Sequence, residues 1–268
     1  MEYLQRFGLL HDVFPQNAKA ETFFEMPGYV RLRRRFEMLG RQPGVGIVVG
    51  DVGVGKTSAI RNLCSSLPRP DYHVTYLCDT AISPVELYRQ LATELGVRPS
   101  HRRGEVWRDL KAAMTHMVDD EGVQPVLILD EAQHLSDRFL TDLSGFLNFA
   151  MDSRNLLVLW MVGQPSLRSV LRMKCHAALA SRIAVRIHLE PLSGRDDFLA
   201  FLAHGLNAAG ATTKIVSDSG SELLYRVSHG VPREAARLLR AAFVEAHEQE
   251  LSMVDDTVLE AVLDEEQL

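Results

Sequence analysis

Apolar residues recur along this chain in two rhythms. Through the first two thirds, short continuous apolar runs alternate with segments of helical spacing. IVVG (Ile47–Gly50), HVTYLC (His73–Cys78), VLILD (Val126–Asp130) and LLVLWMV (Leu156–Val162) read as buried strands, and IHL around Ile187 as a fifth. Strands separated by helical patterns predict an α/β domain, with a mostly parallel sheet flanked by helices. After Pro191 the rhythm changes: DDFLAFLAHGLNAAG, SELLYRVSHG, PREAARLLRAAFVEAHEQE and DDTVLEAVLDEE all carry apolar residues at helical spacing, with no strand of comparable strength. The pattern predicts two domains: an α/β domain over residues 1–190, including a short N-terminal extension, and a small all-helical domain over residues 191–268. Pro191–Gly194 is the expected hinge, with Ser193 capping the helix that follows.

Composition narrows the class. The chain has 268 residues, 46% hydrophobic and 24% charged, enough for a sizeable core in an ordinary globular protein. Cys64, Cys78 and Cys175 are far apart and without CxxC spacing, which argues against a disulfide framework or a cysteine-based zinc site. The apolar run at Leu156–Val162 is too short to cross a bilayer, and MEYLQRFGLLHDVF lacks the long apolar segment of a signal peptide. A cytoplasmic location with no membrane partner is the expectation. Net charge is −6, so nucleic-acid binding requires a local basic patch.

One motif carries specific chemistry. GDVGVGKT (Gly50–Thr57) matches GxxxxGK[ST] in full, follows a strand and opens a helical pattern, SAIRNLCSSL. Glycines let the backbone wind its N–H groups around phosphates, and the helix N-terminus favours their charge. Gly50, Asp51, Val52, Gly53, Val54, Gly55, Lys56, Thr57 and Ser58 are therefore the expected nucleotide-binding residues. Lys56 is expected to reach the β- and γ-phosphates and the Thr57 hydroxyl to ligate Mg²⁺. A chance Gly-rich loop is the alternative, and the strand and helix on either side argue against it.

DEAQHL (Asp130–Leu135) ends the third apolar run and admits three readings: a metal site, a helicase box, or the catalytic edge of a nucleotide pocket. The chain has ten histidines, mostly isolated, without an HExxH or clustered ligands. Gln133 interrupts the match to a DEAH box, and the chain is too short for two RecA-like motors. With a P-loop upstream, the strand delivers Asp130 to the carboxyl edge of the sheet as a second Mg²⁺ ligand, and Glu131 orients the attacking water. His134 reads as a helix-start residue near the nucleotide.

The P-loop, DEAQHL, VGQPSL (Val162–Leu167), ALASRIAVRIHLEPLS and HGVPREAARLL together resemble AAA+ ATPases. Within them the chain is similar to the ExeA-like group and to the transposition ATPases related to TnsC, TniB and the Mu B protein. The opening YLQRFGLLHDVFP also resembles the N-terminal stretch of ExeA-like proteins. The resemblance implies a P-loop NTPase (AAA+) fold whose helical domain is a lid, and a Mg²⁺-dependent ATPase. It adds three residues. Gln164 stands where the family places its polar first sensor, although Asn, Thr or Ser is common there. Arg182 in LASRIAV resembles an arginine finger offered to a neighbouring subunit, and Arg233 in GVPR matches the second sensor. Without the resemblance, Gln164 could cap a turn and Arg182 could be a solvated surface arginine.

In this family ATP hydrolysis drives changes of assembly, so the job depends on what the assembly grips. RLRRR (Arg31–Arg35) with Arg41, and HRRGEVWRDLK (His101–Lys111, with Arg102 to Lys111 carrying the charge), are basic stretches able to meet a phosphate backbone without sequence preference. The leading expectation is a regulator of DNA transposition. It would form a homo-oligomeric ring or filament on double-stranded DNA with ATP, present the target to a transposase, and disassemble on hydrolysis. The alternatives are an ExeA-like ATPase of secretion or envelope assembly, and a nucleotide-gated signalling switch without DNA.

Overall fold

All five apolar runs pair into one parallel sheet in this computed structural model, which describes residues 2–15 and 22–265. The strands are β1 (Val45–Val49), β2 (Tyr72–Leu77), β3 (Gln124–Leu129), β4 (Val158–Gly163) and β5 (Ile183–His188), in the order β2-β3-β4-β1-β5. Burial along each strand follows its place. Every residue of β1 and β4 is buried, as expected of strands covered on both faces. The edge strand β5 alternates, with Ile183, Val185 and Ile187 inward and Ala184 and Arg186 outward.

The helices, in chain order, are α1 (Glu2–Arg6), α2 (Pro27–Arg41), α3 (Lys56–Ser65), α4 (Pro84–Glu94), α5 (Arg103–Asp119), α6 (Asp137–Phe146), α7 (Ser166–Leu171), α8 (Ala177–Ser181), α9 (Arg195–Ala208), α10 (Asp218–Ser228), α11 (Pro232–Glu248) and α12 (Asp256–Glu265). The chain divides into two units. A sheet unit comprises residues 28–52 and 56–189, and a helical unit comprises residues 1–27, 53–55 and 190–268.

In the sheet unit, Gly46 shows why a glycine stands inside a buried strand. It pairs across to Trp160 on β4, and a Cβ on it would come within 2.5 Å of the indole ring. Phe36 of α2 stacks on that indole, with ring centroids 5.5 Å apart, and the indole is fully buried, so it has close neighbours besides Gly46. We expect Gly46→Ala to lower stability by about 1–3 kcal/mol through overpacking, read as a lower denaturation midpoint at unchanged denaturant slope. An unchanged midpoint would mean that the indole moves freely.

The helical unit departs from the sequence pattern in one respect. The N-terminal stretch was expected with the α/β domain, but it groups with residues 190–268. Tyr3 and Phe7 pack on Phe243, Phe14 stacks on Phe201 at 4.3 Å, and the Leu10 N–H donates to the Ala209 carbonyl. Gly205 leaves the space that Phe14 fills. These are contacts between distant parts of the chain, which local periodicity does not encode. Ser193 also departs from its expected role. Gly194 occupies the cap position of α9, and the Ser193 carbonyl instead accepts the Tyr225 hydroxyl. The last residue of the DDTVLEAVLDEE pattern, the end of the predicted lid domain at 266–268, and Met1 lie outside the described residues.

Candidate functional site

The carboxyl edge of the sheet collects three of the charged residues that the sequence singles out: Lys56, Asp130 and Glu131. β1 runs into the P-loop, and the Gly50 N–H donates to the Gly163 carbonyl, which ties the ends of β1 and β4 together. Lys56 opens α3 and is only 8% exposed. A buried ammonium needs partners; its Nζ donates to the carbonyls of Gly50 and Asp51 at 2.9 and 2.8 Å. The loop thus curls around its own lysine.

Asp130 follows β3 and is 3% exposed. Its Oδ2 accepts the Thr57 hydroxyl at 2.7 Å and the Tyr76 hydroxyl at 2.9 Å, while Oδ1 accepts the Glu131 N–H at 2.9 Å. Partial burial, then the charge of Asp130, push the Tyr76 hydroxyl well above its ordinary range, so it stays a donor. Thr57 is exposed beside this carboxylate. Among the described residues no three His, Cys, Asp or Glu side chains gather to hold a metal by themselves. One hydroxyl and one carboxylate suit Mg²⁺, which keeps waters and takes its remaining ligands from phosphates. The residues therefore fit a nucleotide with Mg²⁺.

Glu131 is exposed and adopts a left-handed backbone, φ 50° and ψ 36°. A non-glycine residue held there stores strain, which structures retain chiefly at working sites. Its carbonyl accepts the Thr80 hydroxyl at 2.8 Å, and its carboxylate accepts Gln133 Nε2 at 2.6 Å. Gln133 Oε1 in turn accepts the Gln164 N–H at 3.0 Å. Gln164 thus sits at the end of β4, linked to the acidic turn. Its carbonyl also accepts the Leu167 N–H, so it takes part in the turn into α7 as well. His134 closes the 3-10 turn Ala132–His134 and is exposed.

In the helical unit, Gly53 and Gly55 have φ of +85° and +88°, which only glycine adopts without strain. A Cβ on Gly53 would lie 2.9 Å from Val231 and 3.0 Å from Arg233. Pro232 is the first residue of α11, and the Arg233 N–H donates to the Gly53 carbonyl at 3.2 Å. The glycine at this point of the P-loop therefore serves close packing against the start of α11 as well as the turn. Val54 is fully buried.

Arg182 lies elsewhere. It directly precedes β5, whose first residue pairs with Val45 at the start of β1, so it occupies the amino edge of the sheet. There it borders a hollow lined by Gly44, Phe149, Asp152 and Asn155, and its guanidinium pairs with the Asp152 carboxylate. Its side chain is 24% exposed. It is a held arginine and not one simply waving in solvent. Sequence reasoning missed Asp152, Tyr76, Thr80 and the bridging role of Gln133. Each acts through a contact with a distant segment, and Tyr76 reads in sequence only as a strand residue.

The two basic stretches separate. Arg103 makes a two-pronged ion pair with Asp142 and lies 4.1 Å over the Trp107 ring. Lys111 donates to the Asn148 carbonyl at 2.6 Å and lies over Phe149, and burial lowers its pKa. Those two cations hold α5 against α6, leaving Arg102 and Arg108 outward, each beside an acid. On α2, Arg31, Arg34, Arg35 and Arg41 are all exposed, with Glu37 the one exposed acid among them.

A family model for the AAA domain matches residues 39–171. Over 237 residues the chain is 30% identical to General secretion pathway protein A of Aeromonas hydrophila; the aligned part is 86% of this chain and 42% of that protein, so this chain spans less than half of that relative. Among solved structures, the Aeropyrum pernix ORC2 protein in its ADPNP-ADP complexes superposes with a TM-score of 0.71 at 18% identity, covering 96% of this chain and 72% of that one. The Aeropyrum pernix ORC1 protein in complex with DNA gives 0.67 at 18% identity, covering 97% and 69%. At such identities the likeness is one of fold. Among the described residues no helix is long and apolar enough to cross a membrane.

Proposed function

We propose that this protein, a P-loop AAA+ ATPase that takes ATP and Mg²⁺, is an assembly switch whose pocket is completed by a second copy of the same chain. The observation that carries this reading is the position of Arg182. Lys56, Thr57 and Asp130 stand at the carboxyl edge of the sheet, and Arg182 at the amino edge. The length of β1 separates the two edges by about 15 Å. An arginine there serves another molecule's phosphates better than its own.

In this reading Lys56 meets the β- and γ-phosphates, and Thr57 and Asp130 hold Mg²⁺, which neutralises phosphate charge when bound. Glu131 orients the attacking water, Gln164 is the first sensor and Arg233 the second. The neighbour's Arg182 leaves Asp152 and stabilises charge on the transferred phosphoryl group, so hydrolysis depends on assembly.

For what the assembly grips, the reading is duplex DNA, in the service of a transposase. Support comes from the sequence motifs and from the arginine face of α2, where Arg31, Arg34, Arg35 and Arg41 offer phosphate contacts that need no particular sequence. The rival is a secretion ATPase, favoured by the 30% identity to the Aeromonas hydrophila protein. Sedimentation and ATP turnover with and without duplex DNA, at low and high salt, separate the two. DNA-stimulated assembly and turnover that fade with salt support the first reading, and indifference to DNA supports the second. If α2 is the contact, Arg34→Ala with Arg35→Ala should flatten the plot of log affinity against log salt by about two units, measured by fluorescence anisotropy. An unchanged slope would remove α2 from the interface.

A further inference from the structure

The interruption in DEAQHL has a structural use. Gln133 spends both sides of its amide: Nε2 donates to Glu131 Oε2 at 2.6 Å, and Oε1 accepts the Gln164 N–H at 3.0 Å. Gly163 makes room for this, since a Cβ there would lie 2.6 Å from Gln133 Oε1. Glu131 is thereby fixed from three directions. Its N–H is held by Asp130 Oδ1, its carbonyl by the Thr80 hydroxyl and its carboxylate by Gln133, all on a left-handed backbone.

We propose that Gln133 is a positioning residue for ATP hydrolysis, holding the Glu131 carboxylate in register with the end of β4, where Gln164 stands. This rests on the reading of Glu131 as the acid that orients water. The chemistry selects glutamine. An amide presents a donor to a carboxylate and an acceptor to a backbone N–H at once, from two separate atoms at the end of one side chain. Glutamate at 133 would keep the acceptor but set an oxygen against Glu131. One oxygen of Glu131 is occupied by Nε2, which leaves the other to orient a water. Because Oε1 is fastened to the residue that follows β4, a shift of that strand end would carry the Glu131 carboxylate with it.

Gln133→Glu keeps the volume and the acceptor for Gln164 but turns the donor into a charged oxygen facing Glu131, and Gln133→Met removes both bonds without adding charge, so the two variants are read together. Misplacing a reacting group by about an ångström costs on the order of 100-fold. Gln133→Glu and Gln133→Met in the full chain are therefore expected to lower kcat about 10- to 100-fold, with KM for ATP and the thermal midpoint nearly unchanged. In a Glu131→Gln background the same changes should have little further effect, because both act through one group. A packing role would instead lower ATP affinity and the midpoint along with kcat, and would add to Glu131→Gln. Wild-type turnover in Gln133→Glu, beside an inactive Glu131→Gln, would overturn the role of Gln133 alone. Wild-type turnover in Glu131→Gln would overturn the assignment of Glu131 itself.

Discussion

Arg182→Ala is expected to lower ATP turnover at least ~10³-fold while ATP binding stays near wild type, the scale on which arginine fingers act. The size follows from where the charge is needed. A phosphoryl group in transfer spreads negative charge over its outer oxygens, and a guanidinium meets such oxygens two at a time in a desolvated site. Binding is spared because Arg182 stands at the opposite edge of the sheet from Lys56 and Thr57 of its own molecule. Mixing supplies the stronger test. Lys56→Ala has a disabled pocket with an intact Arg182, and Arg182→Ala has the converse. Each alone should be inactive, and an equimolar mixture should recover turnover, since some pockets then combine an intact Lys56 with a neighbour's Arg182. No recovery, or a parallel loss of ATP affinity in Arg182→Ala, would assign Arg182 to its own fold through Asp152.

The contact with Asp152 makes a companion expectation. Asp152 ends a run of three non-glycine residues with positive φ, Ala150 to Asp152, and its carboxylate holds Arg182 within one molecule. Handing Arg182 to a neighbour requires that pair to open. The pair is partly exposed, and such pairs contribute little, so the latch is weak enough for a phosphate to replace the carboxylate.

How much of this was legible from the residues alone depends on the range of the contacts. Strand runs are local: VLIL must be buried, and its burial on both faces follows from four apolar residues in a row. The P-loop is legible for the same reason, since GxxxxGK[ST] compresses a turn, an anion cradle and a helix start into eight positions. Asp130 inherits its place from the strand before it. Gln133 was visible only as a departure from a helicase box, because one of its two partners, Gln164, lies just past β4, far along the chain from Glu131 and Gln133. Tyr76 was hidden more deeply, since a tyrosine in a strand reads as packing and its bond to Asp130 exists only once β2 and β3 pair. The basic stretch at Arg102–Lys111 shows the opposite error. Charge counted in sequence overstated what reaches solvent, because Trp107 and Asp142 draw Arg103 inward and Lys111 serves backbone carbonyls.

Glu131→Gln carries the second large effect. An amide cannot accept a proton or polarise water as a carboxylate does, and loss of such a group typically costs 10²–10⁴-fold in rate. We expect kcat to fall about 10²–10³-fold while ATP binding and assembly persist, so that the ATP-bound oligomer accumulates. The substitution keeps the size of the side chain, an oxygen to accept Gln133 Nε2, and the backbone bonds to Asp130 and Thr80 that hold the left-handed turn. The variant therefore isolates the charge and leaves the architecture standing. Sedimentation after a pulse of ATP reads the outcome: wild-type oligomers should decay as ATP is consumed, and those of Glu131→Gln should outlast them by the same factor that separates their turnover rates. If turnover falls but the oligomers decay on the wild-type schedule, disassembly is not coupled to hydrolysis. If ATP binding falls in step with turnover, Glu131 belongs to the architecture of the pocket, and the strain at this turn serves binding instead of chemistry.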